Sequence, residues 1–167
     1  DPVRNKYFRR RLLTRTLAGN RCDLLVVSSE DNFATRKENP QRPRQCVVMS
    51  ARVHPGETCA SWIMHGFLDF ILGESEEAVA LRKKYFFLVV PMLNPDGVVL
   101  GNYRCSLSGL DLNRQWASAY RGVLPTIFYF KRLLRRWQDR PNWRISLFCD
   151  MHGHSRKLGV FMYGCRT

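Results

Sequence analysis

A predicted strand passes directly into a predicted helix in the segment Met49-Ser50-Ala51-Arg52-Val53-His54-Pro55-Gly56-Glu57-Thr58. The junction carries an imidazole, that of His54, and a carboxylate, that of Glu57. Both groups are normal zinc ligands, and a catalytic zinc site uses three protein ligands and leaves one position open for water. A His and a Glu at this spacing also occur by chance on many surfaces, so the pair predicts half of a metal site and the missing ligand must lie elsewhere.

Strand-like and helix-like patterns alternate along the rest of the chain. Apolar runs that are typical of buried strands occupy residues 22–28, 45–50, 85–91, 144–150 and 159–163. Apolar residues at helical spacing predict an amphipathic basic helix at 3–18, a mostly buried helix at 58–73, a short capped helix at 76–83 and a helix from about Pro125. Polar residues with two prolines predict a loop at 29–45. This alternation predicts an α/β fold with a mixed, largely parallel central sheet and helices on both faces.

The candidate metal ligands lie where predicted strands end. His54 and Glu57 follow the strand at 45–50, and His152 follows the strand at 144–150. Ligands of open α/β sheets gather beyond the strand ends, so these three side chains converge if the two strands are parallel neighbours. Two other imidazoles compete with them. His65 lies within a predicted helix and is expected to be structural or exposed. His152 and His154 lie two residues apart on a turn and should point in different directions, so at most one of them is expected to bind the metal.

Length and composition are those of a globular chain. It has 167 residues, of which 45% are hydrophobic, and no apolar run approaches the roughly 20 residues that span a bilayer. The first residue is Asp1 rather than Met, and the last residues still resemble an apolar strand, so we expect a fragment of a longer protein. The six cysteines are scattered singly, which suits a reducing compartment.

The chain is strongly basic. It has 27 Lys and Arg residues against 14 Asp and Glu residues, a formal net charge of +13. Basic clusters lie at 9–11, 36–44, 131–136 and 156–157. On electrostatics alone, nucleic acid, an anionic membrane surface and acidic polypeptides are all possible partners. The alternative is that each cluster is a solvated surface without a specific partner.

Five short blocks give the chain a family resemblance. In order along the sequence they are Arg52–Glu57, Pro91–Val98, Asn102–Cys105, Asp111–Arg114 and Asp150–Ser155. With these blocks the chain resembles the catalytic domain of a zinc metallocarboxypeptidase, in particular the cytosolic carboxypeptidase or tubulin deglutamylase branch. The resemblance implies a zinc carboxypeptidase-like fold truncated at its C-terminal side. It also implies that residues 1–167 are the N-terminal portion of a single catalytic domain.

For the metal site, the resemblance implies one zinc ion held by His54, Glu57 and His152. Asp96 matches the acidic residue that hydrogen-bonds a ligand imidazole and fixes its tautomer. A second interpretation of Asp96 stays open, because an aspartate in the turn Asn94-Pro95-Asp96-Gly97 can hold that turn through its own backbone.

For the substrate, the resemblance assigns three further side chains. Arg104 matches the residue that stabilises the oxyanion of the tetrahedral intermediate. Asn113 and Arg114 match the pair that binds the terminal carboxylate of the substrate, for which a guanidinium has a suitable shape. The general-base glutamate of the family should lie well beyond His152, but the 15 residues that follow it include no Glu or Asp. The chain alone is therefore expected to bind zinc and a carboxylate and to be inactive.

The cytosolic branch implies removal of C-terminal glutamates from polyglutamylated or acidic-tailed proteins, with tubulin C-terminal tails as the leading substrate. The implied location is the cytoplasm, including the cytoskeleton, and neither a specific nucleic acid nor a membrane is an expected partner. Two alternatives remain. A basic nucleic-acid-binding module would explain the charge but not five ordered blocks. A catalytically inactive homologue that acts as a microtubule-binding or scaffold protein would retain the blocks without the activity.

Overall fold

A computed structural model of the chain describes residues 6–34 and 43–164. Residues 35–42, which hold much of the predicted loop at 29–45 and of the basic cluster at 36–44, lie outside the described residues, as does Cys165.

Among the described residues, five strands form one mixed sheet. They are β1 (Phe8–Arg15), β2 (Arg21–Val27), β3 (Arg44–Ala51), β4 (Tyr85–Val90) and β5 (Trp143–Met151), in the spatial order β1-β2-β4-β3-β5. β3 pairs in parallel with both β4 and β5, whereas β2 pairs antiparallel with β1 and β4. The carboxyl ends of β3 and β5 therefore meet at one edge of the sheet, which is the arrangement that the candidate ligands require.

In the part of the chain that the structure describes, five helices connect the strands. They are α1 (Glu30–Ala34), α2 (Thr58–Ile71), α3 (Glu76–Lys84), α4 (Pro95–Leu100) and α5 (Pro125–Gln138), and a 3-10 turn spans Leu112–Arg114. Local chemistry sets several boundaries: Ser75 caps α3 by accepting from the Ala78 N–H, and a proline opens both α4 and α5. Within the described ranges, no helix has both the length and the apolar character needed to cross a membrane.

The helices cover both faces of the sheet. Successive side chains of a strand point to opposite faces. Val48 of β3 packs in one core cluster with Phe130 of α5, and its neighbour Met49 packs in the opposite cluster with Met64 of α2. Burial of each such side chain contributes about 1.5–3 kcal/mol. The predicted α/β class with helices on both faces is therefore confirmed.

The first strand replaces a predicted helix. The spacing of apolar residues predicts a helix at residues 3–18, but Phe8–Arg15 form β1, and residues 3–5 lie outside the described residues. β1 pairs with β2 along its length after a turn in which Gly19 has a φ of 81°. Phe8 and Leu13, five residues apart, pack on opposite faces of the sheet. Pairing with β2 thus outweighs the helical spacing of the apolar residues, because strand formation depends on cross-strand contacts that local spacing does not reveal.

The predicted strand at 159–163 is also wrong. This segment has no regular structure, and Val160 and Met162 are exposed. A strand needs a neighbour to satisfy its backbone groups, and among the described residues no strand pairs with the outer edge of β5. The side chains of Leu147 and Phe148 on β5 are correspondingly exposed, by 49% and 45%.

Helix α2 is less buried than its apolar residues predict. Ala60, Met64 and Ile71 face the sheet, but Trp62 and Phe70 are exposed, Trp62 by 73%. The apolar residues of this segment lie on more than one side of the helix. Only the stripe that faces the sheet is buried, and one apolar stripe is enough to hold a helix against a sheet.

Candidate metal centre

Three side chains that are distant in sequence converge beyond the ends of β3 and β5. His54 lies on the loop after β3 and is buried, with 4% of its surface exposed. Glu57 immediately precedes α2, and His152 immediately follows β5. One ligand atom from each of the three lies within 4.8 Å of the other two. The structure therefore brings together the three side chains that the sequence predicted to hold a metal ion.

Both imidazoles present the same nitrogen to Glu57. The Nδ1 atom of His54 lies 2.8 Å from Glu57 Oε1, and the Nδ1 atom of His152 lies 3.1 Å from Glu57 Oε2. Two imidazole nitrogens and a carboxylate form a donor set that zinc takes in catalytic sites, with one position left open. The chemistry of the donor set thus fits a single zinc ion.

The outer nitrogen of each imidazole contacts its own carboxylate. The Nε2 atom of His54 lies 3.1 Å from Asp111 Oδ1, and the Nε2 atom of His152 lies 2.7 Å from Asp150 Oδ2. A carboxylate at Nε2 favours the tautomer that carries its proton there and leaves Nδ1 free for a metal. Ser50 donates to the other oxygen of Asp150 at 2.6 Å and holds that carboxylate in place.

Asp96 holds a different part of the chain from the one that the resemblance implies, so the implied role beside a ligand imidazole is wrong. Its buried carboxylate accepts hydrogen bonds from Thr16 Oγ1, the Ala18 N–H and Asn20 Nδ2, so it holds the turn between β1 and β2. Its own turn is capped by Asn94, whose Oδ1 atom accepts from the Gly97 N–H. The second interpretation of Asp96 is therefore replaced as well.

Sequence reasoning missed Asp111 and Asp150 as partners of the ligands. For Asp150 a signal was available, because residues i and i+2 of an extended segment face the same side and His152 follows at that spacing. For Asp111 the separation from His54 is 57 residues, and only the folded loop shows the contact.

The loop that carries His54 and Glu57 fits closely against its surroundings. The Gly56 N–H donates to the Tyr103 carbonyl at 2.8 Å, and a Cβ atom at Gly56 would lie 2.6 Å from the Tyr103 ring. On the segment that follows β5, the Gly153 N–H donates to Glu57 Oε2 at 2.8 Å. Glycine at position 56 thus permits the backbone of the loop to approach its neighbour closely.

The predicted substrate-binding residues are connected to this centre through Asp111. Arg104 Nε donates to Asp111 Oδ2 at 2.8 Å, and the Asn113 N–H donates to Asp111 Oδ1 at 2.9 Å. The Asn113 side-chain oxygen accepts from Trp116 Nε1 at 2.7 Å, which fixes the orientation of that amide. Arg114 follows on the 3-10 turn and is exposed. The Asp111 carboxylate therefore holds Arg104, the 3-10 turn and the His54 imidazole together.

The other two imidazoles lie outside this group. His65 is exposed on α2 and lies 3.4 Å from Asp69. His154 accepts hydrogen bonds at Nδ1 from the N–H groups of Arg156 and Lys157, so it orders its own turn. The structure therefore supports the choice of His152 over His154 as the third ligand.

The carboxylates change the proton affinities within the centre. The hydrogen bond to Asp150 raises the pKa of His152 above its ordinary value, against the effect of burial and with a further contribution from Glu57. Burial acts to raise the pKa of Asp111, but the Asn113 N–H, Arg104 and His54 outweigh it and hold that pKa below its ordinary value. Asp111 is therefore ionised at neutral pH.

We expect the zinc-free chain to lose stability as the pH rises through the pKa of His152. Because this pKa is raised above 6.5 in the folded state, the folded state binds the proton more tightly than the unfolded state. The stabilisation is complete below the unfolded pKa and disappears above the folded one. Thermal unfolding between about pH 5.5 and about pH 8.5 measures it. In Asp150→Asn the dependence should shrink, and an unchanged dependence would contradict this assignment.

The chain is similar to known zinc carboxypeptidases. Residues 6–164 match the family described as zinc carboxypeptidase. Cytosolic carboxypeptidase 3 of Bos taurus is 48% identical over 165 residues, which cover 99% of this chain and 16% of that protein. Cytosolic carboxypeptidase 1 of Danio rerio is 50% identical over 161 residues, with 95% of this chain and 14% of that protein covered.

A solved structure shows the same similarity in three dimensions. The metallo-carboxypeptidase from Burkholderia cenocepacia superimposes with a TM-score of 0.74 at 27% identity. The superposition covers 89% of this chain and 37% of that one. The chain spans only 16% of the length of the Bos taurus cytosolic carboxypeptidase and 14% of that of the Danio rerio one.

Proposed function

The chain belongs to the zinc carboxypeptidase family, and on that premise we propose that it is part of a zinc-dependent metallocarboxypeptidase that removes C-terminal residues. The observation that carries this proposal is the convergence of His54, Glu57 and His152, with Arg104 and the 3-10 turn attached to the same centre through one carboxylate. Hydrolysis of the last peptide bond of a chain needs a metal and, beside it, groups that donate hydrogen bonds to the terminal carboxylate. By this proposal, residues 1–167 are the N-terminal portion of one catalytic domain.

The proposal gives each of these residues a role. Zinc held by the three ligands supplies Lewis-acid chemistry and lowers the pKa of water. Arg104 is oriented through Nε by Asp111, and its remaining N–H donors stabilise the negative charge that develops on the carbonyl oxygen of the substrate. Asn113 and the exposed Arg114 bind the terminal carboxylate, for which a guanidinium offers two parallel donors.

The general base is not among the carboxylates of this centre. Glu57 contacts both ligand imidazoles, Asp111 accepts from Arg104 and Asn113, and Asp150 accepts from Ser50. No acidic residue follows His152 in the chain. We therefore propose that the chain alone binds zinc and a terminal carboxylate but hydrolyses peptides poorly. Turnover comparable with that of an intact carboxypeptidase would contradict this placement.

The proposed substrates are C-terminal glutamates of polyglutamylated or acidic-tailed proteins, with tubulin tails as the leading class. Support comes from the formal net charge of +13 and from the names of the relatives, which are cytosolic carboxypeptidases. A cytoplasmic location, including the cytoskeleton, is proposed on the same basis. The basic cluster of α5 attracts acidic proteins at long range but does not recognise the substrate at the metal. The C-terminal end of α5 leads into the start of β5, whereas the metal centre lies beyond the other end of that strand.

Binding of paired peptides tests the proposal. The zinc-loaded chain is titrated with an acidic peptide ending in a free glutamate and with the same peptide amidated at its C-terminus. We expect the free carboxylate to bind more tightly, by about tenfold to a hundredfold, because a charge-assisted hydrogen bond contributes about 1.5–3 kcal/mol. Arg114→Ala should remove this preference, and Arg132→Ala, on the exposed side of α5, should retain it. Equal binding of the two peptides by the unsubstituted chain would contradict the proposed function.

A further inference from the structure

Arg52 has an unusual backbone conformation close to the metal centre. Among residues 6–34 and 43–164 it is the one non-glycine residue with a positive φ, 56°. The left-handed region crowds the Cβ atom of any L side chain, and glycine is the residue that normally occupies it. Because Arg52 lies two residues before His54, the strain falls on the loop that carries two of the ligands. Strain of this kind persists only when the surroundings impose it.

The side chain of Arg52 makes two short contacts that glycine could not make. Its Nε atom donates to the Pro55 carbonyl at 2.7 Å, and its Nη1 atom donates to Ser61 Oγ at 2.7 Å. Pro55 lies between the two ligands of the loop, and Ser61 lies in the N-terminal part of α2. The guanidinium thus connects the loop to the helix that begins immediately after Glu57. Its planar shape fixes both donors in direction, which a lysine ammonium cannot do.

The rest of the loop is held from the other side. Asn94 Nδ2 donates to the Val53 carbonyl at 3.1 Å, and the Gly56 N–H donates to the Tyr103 carbonyl. These contacts leave the Pro55 carbonyl, between the two ligands, to Arg52. The loop is irregular between β3 and α2, so its shape depends on such contacts rather than on a helix or strand.

We propose that Arg52 is a positioning residue for zinc: its guanidinium clamps the loop so that His54 and Glu57 have their ligand spacing before the metal binds. This inference rests on the metal centre of the proposed function. The left-handed backbone and the clamp occur in the same residue, whose Nε atom reaches the Pro55 carbonyl three residues further along the loop. A preorganised ligand pair loses less freedom when the metal binds, so zinc binds more tightly.

Glycine at position 52 separates the backbone effect from the clamp. Zinc affinity is measured by competition with a chelator, and thermal unfolding is measured on the zinc-free chain. Arg52→Gly accepts the left-handed backbone without strain but lacks the clamp, so relief of strain offsets the two lost hydrogen bonds. We expect zinc binding about tenfold weaker, with an unfolding temperature close to that of the wild type. Arg52→Ala should weaken zinc to the same extent and also lower the unfolding temperature. Arg52→Lys and Ser61→Ala, which each remove part of the clamp, should fall between wild type and Arg52→Gly.

The outcomes separate three possibilities. Arg132→Ala on α5 is the matched arginine control and should bind zinc as the wild type does. If Arg52→Gly binds zinc within about twofold of wild type, the clamp is wrong although the metal centre stands. If zinc affinity falls only in proportion to the loss of thermal stability across the series, Arg52 stabilises the fold and does not position ligands. If the unsubstituted chain fails to bind zinc, the metal centre is wrong and the clamp with it.

Discussion

Replacement of His54 by alanine is expected to abolish stoichiometric zinc binding. His54 is the most buried of the three ligands, and its Nδ1 atom faces the carboxylate of Glu57. Zinc sites bind with apparent free energies of about 10–16 kcal/mol, so one of a few ligands accounts for about 3 kcal/mol or more. Since 1.4 kcal/mol is a factor of ten, affinity should fall by roughly a hundredfold to a thousandfold. The remaining Glu57 and His152 are too few to hold the ion at micromolar zinc.

Metal analysis after dialysis measures this effect, with His65→Ala as the matched control. His65 is also a histidine close to Glu57 in sequence, but it is exposed on α2 and pairs with Asp69. The control should therefore retain one zinc ion per chain. Equal zinc content in His54→Ala and the wild type would rule out the proposed metal centre.

The second large effect is expected for Asp111→Asn. Asn keeps the shape of the side chain but removes the negative charge that faces His54 Nε2 and Arg104 Nε. Loss of a carboxylate that orients a ligand imidazole lowers metal affinity by about tenfold to a hundredfold. Arg104 also loses its anchor, so the binding of a peptide carbonyl should weaken further than the loss of zinc explains. Chelator competition and peptide titration at saturating zinc measure the two effects separately.

Asp96→Asn is the control for Asp111→Asn. The two substitutions together show which of the two carboxylates orients a ligand imidazole. Asp96 is buried and accepts three hydrogen bonds from the turn between β1 and β2. Removal of its charge should cost about 1–3 kcal/mol of stability without a change in zinc affinity. The opposite result, with weakened zinc in Asp96→Asn and unchanged zinc in Asp111→Asn, would restore the role that the resemblance gave to Asp96.

The metal ligands could be predicted from sequence because they follow from a general property of sheets. His54, Glu57 and His152 come after two apolar runs, and parallel neighbouring strands bring such positions together. The contact between Asp150 and His152 could also be predicted, because residues two apart in an extended segment face the same side. Asp111 could not be predicted in the same way, because its contact with His54 depends on how a loop of irregular structure returns to the centre.

The errors in the fold have a common physical origin. Residues around Phe8 and Leu13 have helical spacing, yet β1 forms because β2 offers it a partner. The segment 159–163 has the apolar character of a strand but remains irregular, because no strand in the described ranges runs beside it. In both cases the sequence shows what a segment prefers locally, whereas pairing between distant segments determines whether a strand exists.

The outer edge of β5 has a consequence for how copies of the chain behave together. Its nine residues include the exposed side chains of Leu147 and Phe148, and in the described part of the chain no strand covers this edge. An uncovered apolar edge is a template for pairing with a second strand, and so for aggregation at high concentration. Because His152 follows β5 directly, any segment that pairs with this edge lies beside the third candidate ligand.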